Sequence, residues 1–231
     1  MHANVIIVMI AHNYVMMLSS FVCLQETFRN PFLERRTLVQ WDLNHLLTYQ
    51  KLLPHLEDNR ERRMAELVLD AFEQHVHPKI PNFKKGIIHG DANGLNIIVQ
   101  KDLQVGEYQM VGLIDFGDCV SSCCVFDLGI LLAYAMAENL DLKNGQSPIE
   151  FVAPILRGYI DAFPLSKEEI GSLYYIAMAR CCQSCLNGAL SFQREPWNTY
   201  LLVSPAKCWR VIELMLSTSK EKVDDKWANT L

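Results

Sequence analysis

A chain of 231 residues, 50% hydrophobic and 20% charged, is long enough to bury one large core and too apolar to be disordered along its length. Its formal net charge is -5, and the one basic cluster, Arg60-Glu61-Arg62-Arg63, is mixed with an acid. It reads as a solvated helix face, so nucleic acid is not an expected partner. The 8 cysteines include the adjacent pairs Cys123-Cys124 and Cys181-Cys182, and no Asn-x-Ser/Thr acceptor occurs. In a chain this large, these features point to free thiols in a reducing, cytoplasmic setting.

Residues 1–24 differ from the rest. The apolar run from Val5 to Leu18 is interrupted by His12, Asn13 and Tyr14, which makes it too short and too broken to span a membrane. It also lacks the basic residues that precede a signal peptide's apolar core. It reads as an element packed on the domain or as an N-terminus created by an alternative start. Residues 25–231 read as one α+β lobe of helices, then a small β unit, then helices.

Met64, Leu67, Val68, Ala71, Phe72 and Val76 recur at helical spacing, with Asn59 as N-cap and Pro78 as the stop. A loop from Lys79 to Gly86 then delivers Ile87-Ile88 and His89. Ile97-Ile98-Val99 and Val111 to Ile114 flank a turn-rich stretch and predict a β-hairpin. Helices are expected from Val125 to Glu138 and from Ser147 to Phe163, the second opened by a Ser147/Glu150 capping box. Two more are expected from Ser166 to Gly188, with a Ser166/Glu169 box, and from Ser204 to Leu216, with Pro205 in the first turn. Cys182 and Cys185 form a C-x-x-C within a helix, where they would share a face rather than bind zinc.

Chemistry is concentrated at His89-Gly90-Asp91-Ala92-Asn93-Gly94-Leu95-Asn96 and, downstream, at Asp115-Phe116-Gly117-Asp118. The pattern H-x-D-x-x-x-x-N followed by D-F-G is that of phosphoryl transfer, in which one Asp meets the acceptor hydroxyl while the Asn and the second Asp hold magnesium. Asn96 enters the first strand of the predicted hairpin and Asp115 leaves the second, so antiparallel pairing sets them side by side. Asp91 is then expected to be the catalytic residue rather than an Asx-turn former, and Asn96 and Asp115 the metal ligands rather than a strand cap and a helix-start residue. Asp118 is either a second metal contact or the N-cap of the next helix. His89 reads as a buried residue that orients the loop, Asn93 as a turn former, and Asp127 as an acceptor for the catalytic-loop backbone.

At these residues, together with Val125-Phe126-Asp127, the chain resembles the C-terminal lobe of the aminoglycoside phosphotransferase and choline kinase-like family of small-molecule kinases. The resemblance implies a mostly helical, protein-kinase-like lobe around a small β-hairpin. It also implies γ-phosphoryl transfer from GTP or ATP, with Mg²⁺, to a hydroxylated amine. The 5-hydroxyl of free hydroxylysine is the acceptor implied first, with choline, homoserine or an aminoglycoside as alternatives. Arg180, on the helix that faces the site in this family, is then either a partner for the acceptor's carboxylate or a salt-bridge residue within the lobe.

One departure stands out. Members of this family carry a β-rich N-lobe with a Gly-rich loop and a strand lysine. Here the first glycine is Gly86, and Lys51, in a helix-like context, is the sole lysine before Lys79. The N-lobe is therefore expected to be absent from this sequence. The second expectation follows from that: a catalytically silent binding module, with self-association through the apolar face left bare.

Overall fold

The computed structural model describes residues 30–34, 40–101, 104, 108–142 and 145–228. The apolar segment Val5 to Leu18 lies outside them. Among the described residues, the first elements are a short helix α1 (Pro31–Glu34), a 3-10 helix from Leu43 to His55, and helix α2 (Asn59–His75). Asp58 rather than Asn59 caps α2, its carboxylate accepting from the amides of Arg60 and Glu61. An anionic acceptor one residue earlier also meets the positive end of the helix dipole. Ala65, Val68, Leu69 and Phe72 form the buried face of α2, and Val76 is buried just beyond it, whereas Leu67 is exposed.

The stretch expected as a loop, Lys79 to Gly86, begins inside a 3-10 helix, His77–Asn82. It leads to β1 (Lys85–Ile88), β2 (Ile97–Lys101), β3 (Tyr108–Leu113) and β4 (Val120–Cys123). The predicted hairpin is β2–β3, paired antiparallel from Ile97↔Leu113 to Lys101↔Tyr108, with an irregularity between Ile98 and Val99. Sequence reading missed a second pair: β1 with β4, antiparallel from Lys85↔Cys123 to Ile88↔Val120. The hairpin is thus nested inside a strand pair that closes beneath it.

Helices follow: α3 (Cys124–Glu138), α4 (Pro148–Phe151), α5 (Ala153–Ala162), α6 (Lys167–Arg194), α7 (Val203–Ser217) and α8 (Lys220–Ala228). The single helix expected over Ser147 to Phe163 is broken in two at Val152, because Pro154 in the first turn of α5 has no N–H to continue the ladder of α4. Both predicted capping boxes are formed.

Helix α3 is buried nearly all round, as a helix apolar on every face must be. It packs on α6, where a Cβ at Gly129 would lie 2.3 Å from Cγ2 of Ile176. Phe72 and Phe126 meet at 6.5 Å between ring centroids and join α2 to this core. Each such fully buried side chain stabilises the lobe by about 1.5–3 kcal/mol. Among the described residues, no helix is long and apolar enough to cross a membrane, and the described cysteines are free and buried.

Candidate active site

Strand β1 ends where the candidate catalytic loop, His89 to Asn96, begins, and α3 fixes that junction. The carboxylate of Asp127 accepts the amide of His89 at 2.7 Å and that of Gly90 at 2.8 Å. Burial raises its pKa above the ordinary carboxylate range, although the two amides pull the other way. His89 is fully buried. Its Nδ1 accepts the amide of Asp91 at 3.3 Å, so the proton belongs on Nε2, which donates to the carbonyl of Ile114 at 3.0 Å. One imidazole thereby links the loop that carries Asp91 to the strand end that carries Asp115.

Asp91 is held from both sides. Its Oδ2 accepts from Nδ2 of Asn93 at 2.8 Å and Nδ2 of Asn96 at 3.0 Å, while Oδ1 accepts from Nη2 of Arg180 at 2.9 Å. Asn96 also donates to the main-chain carbonyl of Asp91 at 2.9 Å. Its amide nitrogen is thus committed to Asp91, and the amide oxygen is the atom a cation would take. Asn93 has a double role, since its Oδ1 also accepts the amide of Leu95 and caps the 3-10 turn Gly94–Asn96.

The ends of the hairpin meet as its topology requires, with the amide of Ile114 donating to the carbonyl of Asn96 at 3.0 Å. Asp115 follows at φ 63 and ψ 65, the one non-glycine residue with positive φ among the described residues. A left-handed non-glycine residue costs free energy and persists where surrounding structure enforces it, often at functional turns. Asp118 ends the 3-10 turn Phe116–Asp118. It does not cap α3, because the N-cap there is Cys123, without a side-chain capping bond. Gly90, at φ +81, lets the two loops touch: a Cβ there would lie 2.6 Å from the Asp118 carbonyl oxygen.

Asp91, Asn96, Asp115, Asp118 and Arg180 all line one cavity of about 760 Å³, whose other walls include Trp41, Tyr134, Glu138 and Tyr200. Arg180 is 1% exposed. It donates through Nε to the Tyr134 hydroxyl at 3.1 Å, and through Nη1 to Gln183 Oε1 at 3.1 Å and the Trp41 carbonyl at 3.3 Å. Its guanidinium lies 4.6 Å from the Trp41 ring centroid and 5.3 Å from that of Tyr134. Burial alone would lower its pKa, but Tyr134 and Asp91 outweigh it and leave the pKa raised. Sequence reading did not find Trp41 or Tyr134, which lie far from the motif and carry no spacing signal.

Solved structures share this mostly helical lobe. A microcompartment-associated aminopropanol kinase aligns at TM-score 0.63 and 18% identity, covering 90% of this chain and 62% of the other. An amicoumacin kinase in complex with AMP-PNP, Ca2+ and Ami aligns at TM-score 0.57 and 16% identity, covering 95% and 59%. The chain belongs to the phosphotransferase enzyme family, whose model matches residues 23–167. It is similar to hydroxylysine kinase of Bos taurus, 31% identical over 211 residues, and of Danio rerio, 27% identical over 207 residues. These alignments cover 89% of this chain but 54% and 56% of the relatives, so the chain spans about half their length.

Proposed function

We propose that this chain carries the catalytic and acceptor-binding part of a kinase that transfers the γ-phosphoryl group of GTP to the 5-hydroxyl of free 5-hydroxy-L-lysine, giving 5-phosphohydroxylysine. The observation that carries the reading is the Asp91 carboxylate, held by Arg180, Asn93 and Asn96 at the wall of a cavity that Asp115 and Asp118 also line. The likeness to hydroxylysine kinases supports the choice of acceptor; GTP as donor is what the sequence resemblance implies.

In this reading Asp91 accepts the hydrogen bond of the acceptor hydroxyl and takes its proton late, as that oxygen bonds to the γ-phosphorus and the bond to the β-phosphate bridging oxygen breaks. Nucleoside diphosphate leaves with the electron pair of that bond. Asn96 and Asp115, with Asp118 as a further contact, would hold Mg²⁺. Two carboxylates and an amide oxygen suit a hard cation that takes its remaining ligands from water and phosphate. Bound there, the ion neutralises charge on the phosphates. The protein's own contribution is positioning: Asp127 and His89 fix the loop, and the loop fixes Asp91.

The alternative reading is a binding module that keeps these contacts without turnover. One assay separates the two: nucleoside diphosphate release from Mg·GTP and Mg·ATP, with and without 5-hydroxylysine, for the wild type and Asp91→Asn. Release that requires the acceptor and is lost in the variant supports the kinase. No release above the variant from folded protein rejects it. Parallel reactions with choline, homoserine and an aminoglycoside test the acceptor.

A further inference from the structure

We propose that Arg180 is a positioning residue for Asp91, gripped between Trp41 and Tyr134, and not the ligand of the acceptor's carboxylate. The inference rests on the kinase reading above for its consequence in catalysis, while the pairing itself rests on geometry alone.

Three observations carry it. First, the pair is asymmetric: both residues line the cavity, but the Arg180 side chain is 1% exposed and that of Asp91 23%, so the carboxylate is the more open member of the pair. Second, the guanidinium fork is largely committed within the lobe, to Tyr134, Trp41, Gln183 and Asp91. An acceptor carboxylate would have to displace these bonds, in a buried site where an unpaired partner is costly. Third, Trp41 is anchored for this purpose. Its ring and its carbonyl both hold Arg180. The preceding residue, Gln40, is tied to α6 by Gln183 Nε2 donating to its carbonyl at 3.3 Å and by its own Nε2 donating to Asn187 at 2.9 Å.

What this frame supplies is a fixed carboxylate plane. With Oδ1 held from α6 and Oδ2 held twice from the loop, Asp91 cannot rotate when a hydroxyl arrives, and its one remaining acceptor site, on Oδ1, points where the frame sets it. Preorganisation of this kind is expressed in turnover rather than in binding.

The test uses the full chain with Arg180→Met and Arg180→Lys. Two acceptors are compared, 5-hydroxylysine and its analogue lacking the carboxylate, 1,5-diaminopentan-2-ol. A positioning role predicts a kcat loss of about 10²-fold in Arg180→Met, by the same factor on both acceptors and with KM little changed. Arg180→Lys should recover part of it, because a single ammonium keeps the charge but not the fork. A rise in KM for 5-hydroxylysine with no effect on the diamine would overturn the proposal and assign Arg180 to the carboxylate.

A thermal-unfolding cycle of Asp91→Asn, Arg180→Met and the double variant needs no activity. Shifts in Tm that fail to add support the pair, and additive shifts overturn it. If the wild type turns over neither acceptor, the hydroxylysine kinase reading falls, and this cycle still decides whether Arg180 holds Asp91.

Discussion

The carboxylate of Asp127 reaches the amide of Gly90 at 2.8 Å while its other oxygen takes the amide of His89, so a helix buried in the core holds the backbone from which Asp91 projects. Asp127→Asn would turn an NH₂ group toward one of these amides and leave a buried donor without an acceptor, at a cost of about 1–3 kcal/mol. Urea unfolding should show that loss, and kcat should fall at least about tenfold as the loop shifts. The pH dependence has a defined sign. Burial raises the pKa of Asp127 in the native state, so the folded chain keeps a proton that the unfolded chain has released. The stability contributed by this group is therefore full below the ordinary carboxylate pKa of about 3.9 and is lost as pH rises through the raised value. The wild type's advantage over Asp127→Asn should shrink across that window.

Gly90→Ala should separate the loop that carries Asp91 from the turn that carries Asp118. The new Cβ would fall 2.6 Å from a backbone oxygen, at a φ of +81 that side chains rarely adopt. Strain of about 1–2 kcal/mol from the backbone conformation alone should be joined by a larger loss in kcat. Gly94→Ala in the same loop is the control. Its Cβ meets nothing within 4 Å, and its activity should stay close to that of the wild type in the same assay.

Gly129→Ala tests the core rather than the site. A methyl there would overlap Cγ2 of Ile176 at 2.3 Å, pushing α3 from α6. Overpacking of this kind costs about 1–3 kcal/mol, which denaturant unfolding should report as a lower midpoint with an unchanged slope. Because α3 also carries Asp127, any loss of activity should accompany the loss of stability.

Chelation should stop acceptor-dependent nucleoside diphosphate release, and added Mg²⁺ should restore it. In Asp115→Ala, magnesium should restore little, leaving turnover reduced on the order of 10²–10³-fold at metal concentrations that saturate the wild type. Full recovery in that variant would remove Asp115 from the metal site.

Much of this arrangement was legible in the sequence because it is local. The run at Asn59 to Val76, the capping boxes and the hairpin are patterns within a few turns or strands of themselves. What escaped reading is what depends on distant pairing. Strand β4 is four residues, Val-Ser-Ser-Cys, without the alternation that marks a strand, and it exists because β1 supplies its partner. The ion pair of Arg180 and Asp91 spans 89 positions, and only the oddity of an arginine in an apolar, cysteine-rich helix hinted that it had a partner. The single helix expected over Ser147 to Phe163 failed at Pro154, a stop signal present in the sequence but given too little weight.

The nesting of one strand pair inside another has a consequence for how the chain can change. The ladder of β1 with β4 closes the base of the unit, and that of β2 with β3 sets Asn96 against Ile114. Among the described residues, the bond that joins the two motif ends lies at the inner end of the hairpin, where the amide of Ile114 donates to the carbonyl of Asn96. A longer connection between β2 and β3 would leave that bond in place, and with it the spacing of Asn96 and Asp115.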